Sequence, residues 1–129
     1  MNEEQKKRFS TFLTDFEYTI KDFKDYLGEK EEVSISVLKT FIEGLQNIIK
    51  DLKTDIDFLN YDELSFDTEN TEKAYINNFV MCAESDNKSF LEYISNKEKI
   101  VYKEYQLFLH DFLCKVRNLK QNVKFLQNI

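Results

Sequence analysis

The chain contains no proline, and its only glycines are Gly28 and Gly44. The usual punctuation of β-rich and loop-rich folds is therefore missing, which favours helix before any pattern is read. Two glycines also cannot build a phosphate-cradling loop, a dinucleotide fingerprint or a nucleophile elbow. Cysteine is limited to Cys82 and Cys114. They are too far apart for a CxxC redox or zinc motif and too few for a disulfide framework, so both are expected to be buried, reduced thiols. No apolar run approaches the ~20 residues that span a bilayer, and the start, MNEEQKKRFSTF, has acids ahead of its basic cluster and no signal-peptide core. These absences predict a cytoplasmic protein with no membrane partner.

Histidine is scarcer still, with His110 alone. A carboxylate-bridged di-iron bundle needs two Glu-x-x-His pairs, and no Glu stands three residues before His110. Zinc sites fail for lack of ligands. A calcium-binding EF-hand needs oxygen ligands early in its loop, a Gly at position 6 and a Glu at position 12. Read from Asp55 the run DIDFLNYDELSF places Asn and Phe there, and read from Asp67 the run DTENTEKAYINN places Glu and Asn there. His110 and Cys114 share a helical face at i, i+4, but the plain reading is a surface histidine beside a half-buried thiol. Carboxylate neighbours such as Asp55 with Asp57, or Asp62 with Glu63, lie in or beside a polar loop and read as exposed. No catalytic, cofactor or metal residue is assigned, and a non-enzymatic protein is expected.

What the chain does contain is helical periodicity. Its 129 residues, 42% apolar and 33% charged, suffice for one domain with a core of its own. Phe9, Leu13, Phe16, Ile20, Phe23 and Leu27 form one stripe, with Gly28 placed to end the helix in a left-handed cap. A polar GEKEE connection leads to a second helix from about Ser34 to Leu59, on which Ile35, Leu38, Ile42, Leu45, Ile49, Leu52, Ile56 and Leu59 step by three and four. Ser34 or Ser36 is its N-cap, and Gly44 lies inside it at a cost of roughly 1 kcal/mol against Ala. Periodicity then fails from Asn60 to Asn70, which reads as a loop. A third helix begins near Asn70 or Thr71 with Tyr75, Ile76, Phe79, Val80, Cys82 and Ala83 inward. SDNK at 85–88 is a candidate break, with a short extra helix between Asp86 and Ser95. The last stripe, Ile94, Val101, Tyr105, Phe108, Phe112, Val116, Leu119, Val123 and Leu126, predicts a continuous helix from about Asn96 to Gln127. Leu107, Leu109, Leu113 and Cys114 lie off that stripe, so this helix wants neighbours on two faces and makes a homodimer plausible. The expected fold is a single-domain, all-α bundle of four main helices with a Phe-rich core.

Charge is distributed unevenly. Residues 51–72, DLKTDIDFLNYDELSFDTENTE, carry eight carboxylates against one Lys and sum to −7, whereas residues 97–129 sum to +4. The first functional reading makes the acidic segment a docking surface for a basic protein partner. Asp55, Asp57, Asp62, Glu63, Asp67, Glu69 and Glu72 are its charges, and Tyr61 and Phe66 its aromatic anchors. Small acidic helical proteins of this architecture and charge include phage-encoded inhibitors, bacteriocin-immunity proteins and antitoxins. Abundant Lys, Asn, Ile and Phe beside two Ala fits an AT-rich coding sequence, as in low-GC bacteria and their phages. The second reading is association with nucleic acid through Lys115, Arg117, Lys120 and Lys124, a weak electrostatic footprint on an acidic chain. A solvated face with no partner is the plain alternative to both.

Overall fold

The computed structural model describes residues 2–28, 30, 32–56 and 68–127, without the side chains of residues 68–71. Four helices dominate it: α1 (Glu3–Leu27), α2 (Ile35–Asp55), α3 (Thr68–Ile94) and α4 (Tyr102–Asn122). A 3₁₀ turn, Lys124–Leu126, follows α4. Two three-residue strands, β1 (Glu32–Ser34) and β2 (Lys99–Val101), make a small antiparallel sheet. The chain is thus an all-α bundle with one accessory ribbon. No helix among the described residues is long and apolar enough to cross a membrane.

Each helix can be traced to its residues. The Asn2 side chain accepts from the Gln5 amide and the Gln5 side chain from the Asn2 amide, closing a capping box on α1. At the other end Gly28 takes φ 55° and ψ −136° while its amide donates to the Lys24 carbonyl. The positive φ is the one expected, but ψ lies outside the left-handed helical well. Ser34 is the N-cap of α2, yet its hydroxyl pairs with that of Ser36 at 2.9 Å and caps no amide.

The core is one cluster fed by all four helices. Phe16 of α1 stands at its centre, edge-on to Phe79 of α3 at 6.0 Å and to Phe112 of α4 at 5.9 Å. Phe112 in turn meets Phe108, which stacks on Phe90 of α3 at 4.0 Å. Offset and edge-to-face rings add about 0.5–1.5 kcal/mol per pair beyond the area they bury. Helix α2 supplies the aliphatic side, with Leu38, Ile42, Leu45 and Ile49 buried, and its half-buried Phe41 stacks on Phe23 of α1 at 3.9 Å.

Three expectations are corrected. The SDNK stretch does not interrupt α3, and no separate short helix exists there, because Ala83, Asn87, Phe90, Leu91 and Ile94 carry the inward stripe straight through. Tyr75 and Cys82 were expected inward and are exposed, and Cys114 is half-buried, so neither cysteine is a core thiol. Nor is the last helix continuous from Asn96. Residues 99–101 extend to pair with β1, Val33 opposite Ile100, and both side chains enter the core. Val101, expected on the helical stripe, faces outward on this ribbon. The ribbon is tied down by the Tyr105 hydroxyl, which donates to the Lys30 carbonyl at 2.7 Å, and by an Lys99–Glu32 ion pair at 3.1 Å. The surplus apolar surface expected on α4 is largely absorbed: Leu109 is fully buried and Leu113 packs against the core, leaving Leu107 outside.

Three substitutions check this packing. Nothing lies within 4 Å of a Cβ built on Gly44, so Gly44→Ala is expected to raise the urea midpoint, by about 0.5–1 kcal/mol in stability. Gly28→Ala, at positive φ, is expected to lower it. Asn87 is fully buried with neither side-chain polar atom hydrogen-bonded to a described residue. Asn87→Leu, of similar volume, is expected to stabilise the protein by about 1–3 kcal/mol in the same assay.

Candidate docking surface

Helix α2 ends beside the beginning of α1, and between them lies an open groove of about 440 Å³. Phe12 of α1 with Ile48 and Leu52 of α2 give it an apolar floor, and Thr11 adds a hydroxyl. One side of its rim is acidic, with Asp51 and Asp55 on the last turns of α2 and Asp15 on α1. Lys7 and Arg8 line it as well. Asp15, Asp51 and Asp55 are exposed and make no ion pair with a described residue, whereas Arg8 leans back to Glu4 at 3.6 Å. Helical spacing explains the arrangement: Ile48 and Leu52 face the groove at i, i+4, and Asp51 and Asp55, each three residues after one of them, fall on its solvent edge.

Of the acidic residues singled out in the sequence, Asp55 closes α2 on this rim. Glu69 and Glu72 fall on the first turns of α3, and Glu72 is half-buried. Asp57, Tyr61, Asp62, Glu63, Phe66 and Asp67, like most of the expected 60–70 loop, lie outside the described residues, but the helix expected to reach Leu59 stops earlier: α2 ends at Asp55, and Ile56 is extended at φ −123° and ψ 103°. The contribution of α1 was missed. Phe12, Asp15, Lys7 and Arg8 are some forty residues in the chain from the end of α2 that they line the groove with, and nothing in their spacing marks them as its neighbours.

The cationic stripe of α4 is partly consumed by the fold. Lys115 binds Asp86 of α3 and, at 3.0 Å, Asp111 on its own helix. Burial disfavours its charge, but the hydrogen bonds and charges of these two carboxylates outweigh it and raise the pKa above the ordinary lysine value. Lys120 donates to Glu17 of α1 at 2.9 Å, both side chains only 22% exposed. Arg117 and Lys124 are exposed, with no ion pair to a described residue. Two of the four cations therefore fasten α4 to its neighbours, and two face solvent.

A raised lysine pKa fixes the sign of the pH dependence. The Lys115 contribution is complete below its unfolded value of 10.5 and is lost as pH rises through the higher folded value. Lys115→Met is expected to be less stable than the parent at pH 8 by about 1 kcal/mol or less, with the gap closing above pH 10.5 in urea titrations. A gap that widened at alkaline pH would contradict the assignment.

Comparison with known protein families, with characterised proteins and with solved structures finds no match to this chain, so its function has to be argued from its own surface.

Proposed function

We propose that the protein is a non-enzymatic interaction module that binds a basic protein through its acidic surface, in the manner of a small inhibitor, immunity protein or antitoxin. The observation that carries this reading is the pair Asp51 and Asp55, exposed and without an internal counter-ion among the described residues, standing over the apolar floor of the α1–α2 groove. These acids begin the run of eight carboxylates between Asp51 and Glu72. A surface of this kind offers a partner two separable interactions. The acids attract lysines and arginines over a distance and speed encounter, while Phe12, Ile48 and Leu52 offer apolar contact that slows departure. Lys7 and Arg8 on the same groove restrict which charge pattern fits. The reading also takes in, from their charge and type in the sequence, Asp57, Asp62, Glu63, Asp67, Glu69 and Glu72 as further acids and Tyr61 and Phe66 as aromatic anchors.

Association with nucleic acid through α4 ranks below this reading, because Lys115 and Lys120 already hold carboxylates of the same chain. Arg117 and Lys124 alone would neutralise few phosphates.

The test starts from a partner captured by the native chain and then purified. Its association rate with the native protein is expected to fall at least tenfold between about 20 mM and 500 mM salt, and to fall similarly when Asp55, Asp62, Glu63 and Asp67 become Lys at low salt. Circular dichroism should report unchanged helix in the variant. Association that ignores both salt and charge reversal would refute the acidic docking surface, and salt-sensitive retention on DNA, lost in Arg117→Glu/Lys124→Glu, would favour the α4 reading instead.

A further inference from the structure

His110 and Cys114 occupy successive turns on the outer face of α4, with Nε2 and Sγ 3.4 Å apart. His110 is exposed and Cys114 half-buried, so the pair is open to solvent. Zinc binds thiolate sulfur at about 2.3 Å and imidazole nitrogen at about 2.0–2.1 Å, and at a tetrahedral angle these bonds set the two donor atoms about 3.5 Å apart. The observed separation is already that of two ligands on one ion. Binding an ion requires both side chains to turn their lone pairs from each other toward a shared point outside the helix.

One chain supplies only these two donors. Among the described residues no group of three or more His, Cys, Asp and Glu side chains could hold an ion, and the nearby carboxylate of Asp111 is engaged by Lys115 at 3.0 Å. A structural zinc site needs four ligands, commonly two Cys and two His. A second copy related by a two-fold axis brings the missing pair in the same chemical types, because a two-fold contact places the same residues on both sides. Leu107 lies one turn earlier on this face and is 70% exposed, the most exposed of the large apolar side chains among the described residues. It gives the same contact an apolar component.

We infer that His110 and Cys114 are half of a Cys₂His₂ site for a zinc-like divalent cation, completed by His110 and Cys114 of a second copy packed α4 against α4. Binding takes Cys114 as thiolate and His110 as neutral imidazole, and the thiol proton leaves to solvent. The ion is then a metal-dependent clasp, which makes the dimer conditional on zinc supply and on keeping Cys114 reduced. This surface is separate from the α1–α2 groove, so a dimer would leave both acidic rims free and present them twice to a partner.

The experiment uses the reduced full-length chain with Co²⁺ as spectroscopic probe and Zn²⁺ in sedimentation. Expected are thiolate-to-cobalt absorption in the near ultraviolet, intense visible bands of a tetrahedral ion, and one metal per two chains. Added Zn²⁺ should convert the 15.5 kDa monomer to a dimer. His110→Asn and Cys114→Ser, both on the outer face, should retain the helical circular-dichroism signal and lose metal binding and dimer together, while Cys82→Ser keeps both. A chain that stays monomeric in Zn²⁺, binds one metal per chain, or binds equally well as Cys114→Ser would overturn the proposal.

Discussion

The contact of Phe16 with Phe79 and Phe112 is the constraint on which the other features depend. It joins α1, α3 and α4 at one point in the interior, and rings locked edge to face tolerate little sliding. With those helices positioned, the aliphatic face of α2 closes the remaining side. The polar contacts between helices follow from this placement. Glu17 sits one residue beyond Phe16 and meets Lys120, and Asp86, one turn from Phe90, meets Lys115. These part-buried ion pairs edge the core and tune the fit of helices already held by apolar burial.

The two ends of the bundle are built differently. At one end the β1–β2 ribbon, the Tyr105–Lys30 bond and the Tyr93–Glu104 hydrogen bond at 2.7 Å tie together the entries to α2 and α4. At the other, α2 finishes beside the start of α1, and its acids stay exposed around the groove. A protein whose charge must remain available for a partner gains from this division. Desolvation of the carboxylates on the surface proposed to bind is deferred until contact.

Much of the architecture was legible in the chain. The stripes Phe9 to Leu27 and Ile35 to Leu52 are the buried faces of α1 and α2, because amphipathic period and burial are the same information for a helix on a core. Reading failed where two structures compete for the same residues. Lys99 to Val101 has a period compatible with a helix start, and only a strand partner sixty-odd residues away, Glu32 to Ser34, makes it extended. The polar SDNK stretch looked like a break because local propensity cannot report that Asp86 finds Lys115 or that Asn87 is enclosed. For the candidate surface, the acidic rim on α2 was visible as composition, but the wall supplied by α1 was not.

Sequence alone therefore determined the helical class, the inward stripes of the first two helices and the imbalance between an acidic middle and a basic end, since each depends on residues within a few turns of one another. Tertiary structure decided which charges remain for function. Lys115 and Lys120 were drawn into pairs with Asp86 and Glu17, while Asp51 and Asp55 were left over an apolar groove. The physical reason is range: a charge is placed by local sequence, but whether it is neutralised depends on which helix packs within about 4 Å of it, and that is set by the core.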